Sequence, residues 1–318
     1  MEHWGNIAIG LFLLLIGGEL LVRGAVAVAK ALGVSPLLIG LTLVGFGTST
    51  PELVTSVTAA LNGSPGIAVG NVVGSNTANI LFILGLSAVI YPLAVNPKGF
   101  SRDAMVLAAS ALACMGVVLY GRMGAAIGII FIVSLFAYIV YVYRQEKIAP
   151  DEAAIVAEHR SDDARPGSKN MLISLAMAVG GIGLTIWGAG YLVDGSIALA
   201  KELGISDTII GLTIVAVGTS MPELVTSVMA AIRKHSDVAY GNIIGSNIYN
   251  ILFILGATSV IQPIDIPAQI ASLDIWVMLA ATALLIVFAR TGITLQRWEG
   301  VVFLAAYCGY TGYLISIA

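Results

Sequence analysis

The chain has 318 residues, of which 58% are hydrophobic and only 10% are charged, and its mean hydropathy is +0.97. Soluble domains carry about 25% charged residues, so this composition excludes a soluble protein and predicts an integral membrane protein that lies in a lipid bilayer. The formal net charge of -3 comes from charges that lie between apolar runs and form no basic face, which excludes nucleic acid as a partner.

Apolar runs long enough to cross the hydrocarbon core as helices, which takes about 20 residues, occur ten times along the chain. They cover residues 7–28, 36–61, 67–91, 104–120 and 124–143, and then 171–200, 208–232, 238–261, 272–289 and 300–317. Only a few residues precede the first run, so no signal or transit peptide distinct from a membrane helix is expected. The sequence therefore predicts an all-α membrane protein with ten transmembrane helices.

Two polar motifs interrupt the second and third runs, and both return in the seventh and eighth. The motif GTSTPE at 47–52 recurs as GTSMPE at 218–223, and GNVVGSNTAN at 70–79 recurs as GNIIGSNIYN at 241–250. Every matched pair is 171 positions apart, with no insertion or deletion between the motifs. The whole chain is therefore interpreted as a duplication, with one five-helix repeat over 1–143 and a second over 171–318.

The segment 144–170 between the repeats is strongly polar, and we expect a solvated linker with one short surface helix around 152–159. With ten spans, every lysine and arginine in a loop falls on the linker's side of the membrane except Arg122 and Lys201. Because short cytoplasmic loops carry the excess of basic residues, the linker is predicted to be cytoplasmic and both termini outside. The protein is thus expected to be a multi-pass protein of the cell membrane.

A repeat with five spans has a consequence for its partner, since an odd number of crossings reverses the chain direction. The second copy is therefore predicted to enter the membrane upside down, as an inverted repeat. In secondary transporters, such repeats are related by an axis in the membrane plane, and the ion site lies near the midplane on interrupted helices.

Proline is expected to break the second predicted helix. Pro51 cannot donate a backbone hydrogen bond and disfavours helical geometry at Thr50, so the helix should break within 47–50 and restart with Pro51 in its first turn. Backbone carbonyls released at the break can face a cation, while Glu52 begins the new half-helix, where its charge is favourable. The same reasoning applies to residues 218–223, which end at Glu223.

The next predicted helix of each repeat carries three polar residues at intervals of four, which places them on one face. They are Asn71, Ser75 and Asn79 in the first repeat, and Asn242, Ser246 and Asn250 in the second. Serine and asparagine also form interhelical hydrogen bonds in membranes, so a packing role remains open for them. A glutamate inside a membrane is costly unless it is paired or used, which favours a functional role for Glu52 and Glu223.

The motifs together predict a cage of oxygen ligands without histidine or thiolate. Its oxygens come from carboxylates, hydroxyls, amides and the backbone carbonyls released at the helix breaks. Calcium takes six to eight oxygen ligands, whereas zinc and copper prefer the missing nitrogen and sulphur donors. Two glutamates neutralise one Ca2+ or two Na+, which a site of low dielectric constant requires.

In these motifs the chain resembles the cation/calcium exchanger superfamily, and within it the prokaryotic sodium/calcium exchangers, over essentially its whole length. The resemblance implies ten helices and four ion sites between the second, third, seventh and eighth helices, with the first and sixth helices sliding against the others. It also implies the ion ligands: the carboxylates of Glu52 and Glu223, the hydroxyls of Thr48, Ser49, Ser75, Thr219, Ser220 and Ser246, the backbone carbonyls of Gly45 and Ala216, and the amides of Asn79 and Asn250.

The resemblance implies a secondary antiporter that exchanges sodium for calcium by alternating access, with Ca2+ and Na+ as its transported ions and no cofactor. Some relatives carry aspartate where this chain has Asn250, and the two amides argue against potassium as a co-substrate. The resemblance implies more than two sodium ions per calcium, which with only two fixed charges in the cage predicts electrogenic exchange. A proton-driven exchanger on the same fold is the alternative. A cation channel is disfavoured because inverted repeats suit alternating access. An enzyme is disfavoured because no nucleophile or catalytic metal constellation is found.

Overall fold

The computed structural model describes residues 2–61, 63, 65–95, 97–146, 168–202, 216–268, 270–292 and 294–317. Most of the linker 144–170, with the short helix expected at 152–159, lies outside these ranges, and so do residues 208–215 of the seventh predicted span. The described residues are almost entirely helical, as the apolar runs predict.

The first half contains eight helices and two π-helical segments within the described residues. They are α1 (Glu2–Leu32), α2 (Pro36–Ile39), π1 (Gly40–Val44), α3 (Gly45–Thr48), α4 (Thr50–Leu61), α5 (Pro65–Ala78), π2 (Asn79–Leu84), α6 (Gly85–Ile90), α7 (Pro97–Tyr120) and α8 (Ala125–Glu146). Segments α2, π1 and α3 run on without a gap, as do α5, π2 and α6, so each series forms one continuous helical rod.

The described part of the second half contains seven helices and two π-helical segments. They are α9 (Ser168–Glu202), α10 (Ala216–Thr219), α11 (Met221–Ile232), α12 (Ser236–Tyr249), π3 (Asn250–Leu255), α13 (Gly256–Ile261), π4 (Ile270–Asp274), α14 (Ile275–Gly292) and α15 (Arg297–Ile317). Segments π2 and π3 begin at matching positions of the two repeats. Such π segments often occur at functional sites, because they locally rearrange the helical hydrogen bonds.

Among the described residues, seven helices are long and apolar enough to cross a membrane, and an eighth is added when the bent pair 37–48 and 50–61 counts as one span. The chain is therefore an all-helical membrane protein. Helix α15 lies where the tenth span is expected, but it is not one of the seven helices that are long and apolar enough. Helix α11 is too short to cross a membrane alone.

The predicted breaks are confirmed in both motifs. The helical axis bends by 43° between 37–48 and 50–61, at Ser49, whose φ is -83° and ψ is 9°. Ser220 adopts nearly the same conformation, with φ -88° and ψ 8°, between α10 and α11. Pro51 and Pro222 lie in the first turn of the restarted helices, where the missing N–H leaves no intrahelical bond unmade.

Two short antiparallel strand pairs join the halves, and the sequence analysis did not predict them. Strand β1 (Leu93–Ala94) pairs with β4 (Thr294–Leu295), and β2 (Arg122–Met123) pairs with β3 (Ile264–Asp265). Strands of two residues are too short for an alternating pattern, so only the fold identifies them.

Helices α1 and α9 pack closely along glycine positions. A Cβ atom on Gly17 would lie 2.8 Å from the backbone N of Thr185, and one on Gly188 would lie 2.9 Å from the carbonyl O of Gly10. The family resemblance implies that the first and sixth helices slide against the others. Several glycines of α1 and α9 join these two helices to each other, whereas Gly18 faces Val225 of α11.

Candidate ion-binding site

The two motif glutamates lie inside the protein at the start of restarted half-helices. Glu52 is in the first turn of α4 and Glu223 in the first turn of α11, and each is only 1% exposed. Both are held there because the break at Ser49 or Ser220 ends one helix and turns the next one inward. A carboxylate with this little exposure needs partners, since burying an unpaired charge is expensive.

Each glutamate accepts a hydrogen bond from the serine at the other repeat's break. Ser49 Oγ donates to Glu223 Oε1 at 2.9 Å, and Ser220 Oγ donates to Glu52 Oε1 at 3.0 Å. Ser220 Oγ also lies 3.3 Å from Ser75 Oγ. The two breaks therefore face each other and share one polar interior built from both halves.

Three further predicted ligands surround Glu223. Ser246 Oγ lies 3.4 Å from Glu223 Oε1 and 3.5 Å from the carbonyl O of Gly45. Thr48 Oγ1 donates to the carbonyl O of Val44 at 3.1 Å and lies 3.2 Å from Asn242 Oδ1. The carbonyl of Gly45 also accepts the backbone N–H of Ser49, so it is engaged by its own helix and still borders the site.

Asn71 and Asn242 bind the glutamate backbones in matching ways. Asn71 Nδ2 donates to the carbonyl O of Glu52 at 3.1 Å and to Ser56 Oγ at 2.9 Å. Asn242 Nδ2 donates to the carbonyl O of Glu223 at 3.3 Å, and to Ser227 Oγ at 2.9 Å. These amides fix each restarted helix against the polar stripe of the next one, which agrees with a packing role for them.

Four of the predicted ligands have an oxygen atom without a hydrogen-bond partner. Within the described residues, Glu52 Oε2, Glu223 Oε2, Asn79 Oδ1 and Asn250 Oδ1 are buried and accept no hydrogen bond. Buried polar atoms are nearly always paired, so a group of unpaired oxygen acceptors indicates a ligand that supplies positive charge. Oxygen acceptors of this kind suit a hard cation such as Ca2+ or Na+.

The remaining predicted ligands lie at the second break. Ala216 and Thr219 begin and end α10, directly before Ser220, and Thr219 is half-buried. Their relation to the unpaired oxygens is a prediction from the repeat.

The structure also identifies polar residues that the sequence analysis did not assign to the site. Asn76 Oδ1 accepts a hydrogen bond from Asn250 Nδ2 at 3.0 Å, and Asn76 Nδ2 donates to the carbonyl O of Asn247 at 3.3 Å. Thr226 Oγ1 is buried without a partner among the described residues. Asn76 and Thr226 lie outside the stripes of polar residues spaced four apart and outside the GTS and PE motifs. Their spacing alone therefore did not indicate a place in the site.

The part of the site that the structure describes contains two carboxylates, those of Glu52 and Glu223. In the described ranges, no group of three or more histidine, cysteine, aspartate or glutamate side chains could hold a metal ion. The fold and the site thus define an all-helical membrane protein with a buried polar cage lined by oxygen atoms.

The chain belongs to the sodium/calcium exchanger protein family, whose model matches residues 2–145 and 173–316. It is 37% identical over 313 residues to CaxA of Alkalimonas amylolytica and 32% identical over 346 residues to sodium/calcium exchanger MaX1 of Methanosarcina acetivorans; each alignment covers 98% of both chains. Its fold is similar to that of the sodium-calcium exchanger NCX_Mj, with a TM-score of 0.85, 30% identity and coverage of 98% of each chain. The protein is therefore a multi-pass membrane transporter of the cation/calcium exchange class.

Proposed function

We propose that this protein is a secondary antiporter that exchanges sodium for calcium across the cell membrane by alternating access. The observation that carries the proposal is the pair of glutamates, each 1% exposed, each bound by the other repeat's serine, and each with one unpaired carboxylate oxygen. Two carboxylates neutralise one Ca2+ or two Na+, so both ions compete for the same charge. Competition for one buried site is the basis of exchange.

The proposed ligands are those that the motifs predict. Glu52 and Glu223 supply the charge, and Asn79 and Asn250 supply neutral amide oxygens. The other oxygens come from the hydroxyls of Thr48, Ser49, Ser75, Thr219, Ser220 and Ser246 and from the carbonyls of Gly45 and Ala216. Support for this set comes from the hydrogen bonds that gather Ser49, Ser220 and Ser246 around the carboxylates.

We further propose ten transmembrane helices in two inverted repeats, 1–143 and 171–318, joined by a cytoplasmic linker over 144–170, with both termini outside. Three observations support this architecture. The two segments that match the family model are displaced by 171 positions at both ends. The asparagine contacts to the two glutamate backbones recur at the same spacing. The strand pairs β1–β4 and β2–β3 join the halves reciprocally.

The charge of the cage determines the expected stoichiometry. Because Asn79 and Asn250 carry no charge, one Ca2+ or two Na+ neutralise the site fully, and a third Na+ would make the loaded carrier positive. The resemblance to the sodium/calcium exchangers implies more than two sodium ions per calcium, so we propose electrogenic exchange. The same amides leave no extra carboxylate to attract potassium, so the exchange is expected to be independent of potassium.

Calcium flux in proteoliposomes tests the proposal directly. Vesicles loaded with sodium and diluted into sodium-free buffer should accumulate radioactive calcium, and vesicles with only a proton gradient should not. Proton-driven exchange is the second candidate, because two glutamates could carry two protons in place of two sodium ions. Calcium uptake that is driven by a proton gradient and not by a sodium gradient would establish proton-driven exchange and reject sodium as the driving ion.

A further inference from the structure

A buried hydroxyl next to the site has no role in the set of ligands above. Thr226 is 0% exposed, and its Oγ1 has no hydrogen-bond partner within the described part of the chain. It follows Glu223 by three residues in α11, so the two side chains share a helical face with Cβ atoms about 5–6 Å apart. The hydroxyl therefore lies one turn beyond the carboxylate.

Other buried threonines in this protein show what a helical hydroxyl does when it only packs. Such threonines donate to the carbonyl four residues earlier, at 2.7 to 2.9 Å; examples are Thr77, Thr258 and Thr282. Thr226 does not form this bond, although it lies in a regular helix. An unpaired hydroxyl inside a membrane protein is unfavourable, which indicates that it is kept for another partner.

A second unsatisfied side chain lies on an element that packs against α11. Segment π2 contacts α11 and begins with Asn79, whose Nδ2 and Oδ1 both lack a hydrogen-bond partner among the residues described. Beyond Thr226, α11 runs on to Ile232, which is followed by Arg233 and Lys234, and this end is cytoplasmic in the proposed topology. Thr226 thus extends the polar interior from Glu223 towards the cytoplasmic side, on a helix that packs against the segment beginning with Asn79.

We infer that Thr226 forms a polar step through which Ca2+ or Na+ passes between the cage, which includes Asn79, and the cytoplasm. The hydroxyl oxygen replaces part of the ion's hydration shell as the ion leaves the carboxylates. This inference rests on the proposed function and its inverted topology. It adds Thr226 as an ion-binding residue that acts on one face of the membrane.

The repeat supplies a matched residue for the opposite face. Thr55 follows Glu52 by three residues in α4, and α4 contacts π3, which begins with Asn250. Thr55 is half-buried, whereas Thr226 is fully buried, so the two steps are not equally closed. Such asymmetry between equivalent positions is required for access that alternates between the two faces.

The test compares Thr226→Val with Thr55→Val in membrane vesicles of both orientations. Everted vesicles expose the cytoplasmic face, and right-side-out vesicles expose the outer face. For sodium-loaded vesicles, Thr226→Val should raise the calcium concentration for half-maximal uptake by about tenfold at the cytoplasmic face, since one oxygen ligand of a cation is lost. At the outer face the change should be less than about twofold. Thr55→Val should show the reverse.

Two further variants separate ion binding from packing. Thr77→Val makes the same chemical change at an equally buried position whose hydroxyl is bonded to its own helix, so both faces should stay at the native value. Thr226→Ser keeps the hydroxyl and should also stay near the native value. Equal impairment by Thr226→Ser and Thr226→Val, or native values for Thr226→Val at both faces, would overturn the inference. Absence of sodium-driven uptake in the native protein would instead reject the proposed function.

Discussion

Replacing Glu52 by glutamine is expected to give a folded protein that no longer exchanges calcium. Glutamine has nearly the same volume and keeps an oxygen that can accept the 3.0 Å hydrogen bond from Ser220 Oγ. The substitution removes the negative charge and one oxygen at the position of Glu52 Oε2, which has no hydrogen-bond partner among the described residues. The perturbation is therefore confined to the group that we assign to the cation.

The size of the effect follows from the charge. Opposite unit charges about 4 Å apart attract by about 4 kcal/mol at an effective dielectric constant of about 20, and the double charge of Ca2+ raises this to about 8 kcal/mol. Since about 1.4 kcal/mol changes an equilibrium constant tenfold, losing this attraction should weaken calcium binding by at least about a thousandfold. Without ions the effect on stability has the opposite sign, because a buried charge without a counter-ion is removed. The ion-free variant should thus unfold at the native temperature or above it.

Two measurements check this prediction. Radioactive calcium uptake by sodium-loaded proteoliposomes should be lost, and calcium should no longer raise the unfolding temperature, whereas saturation at about 100 times the Kd stabilises the native protein by about 2.7 kcal/mol. Glu299→Gln is the control. Glu299 is also a buried glutamate, 3% exposed, but its Oε2 accepts the backbone N–H of Gln296 at 2.7 Å at the start of α15. This variant should keep native uptake.

The reasoning would be refuted by a Glu52→Gln protein that takes up calcium with native affinity. It would also be refuted by one that keeps the full calcium-dependent rise in unfolding temperature. Glu223→Gln should behave in the same way, because its carboxylate has the equivalent contacts with Ser49 and an equally unpaired Oε2.

Four other predictions concern protons, topology, voltage and Asn250. Protons compete with calcium for the two carboxylates, so acid should raise the calcium concentration for half-maximal uptake between about pH 8 and pH 5; a value independent of pH would argue against the cage. In a background without Cys114 and Cys308, Asp162→Cys and Lys234→Cys should react only from the cytoplasm and Lys201→Cys only from outside. Labelling of the last two from one face would contradict the inverted repeat. Clamping the membrane potential with an ionophore should change the rate of potassium-free exchange, because each charge that crosses contributes about 2.3 kcal/mol per 100 mV. An exchange rate that does not depend on voltage would indicate two sodium ions or two protons per calcium. Asn250→Asp should make calcium uptake more sensitive to acid.

Much of the local structure could be predicted from the amino-acid sequence. The apolar runs indicate membrane helices because the hydrocarbon core demands a minimum apolar length. Pro51 and Pro222 predict the breaks because they lack an N–H, and both breaks are present at Ser49 and Ser220. The recurrence at 171 positions indicates the duplication, and a glutamate inside a membrane segment indicates a function. Each of these conclusions depends on residues that are close together along the chain.

The partners of those residues were decided only by the tertiary structure. Ser49 donates to Glu223 and Ser220 to Glu52, whereas the sequence predicts only that all four border one site. These contacts join residues more than 160 positions apart, so they depend on how the repeats pack.

Unsatisfied atoms likewise became visible only in the fold. The hydroxyl of a threonine such as Thr226 can donate to a carbonyl of its own helix or to another group, and the surrounding sequence is compatible with both. The short strand pairs and the glycine contacts between α1 and α9 have the same origin, because a backbone's neighbours in space are set by the packing of distant segments. Local propensity and spacing therefore determined which residues are polar or buried and where the helices break. The packing of the two halves determined which atoms are in contact and which oxygens are left for an ion.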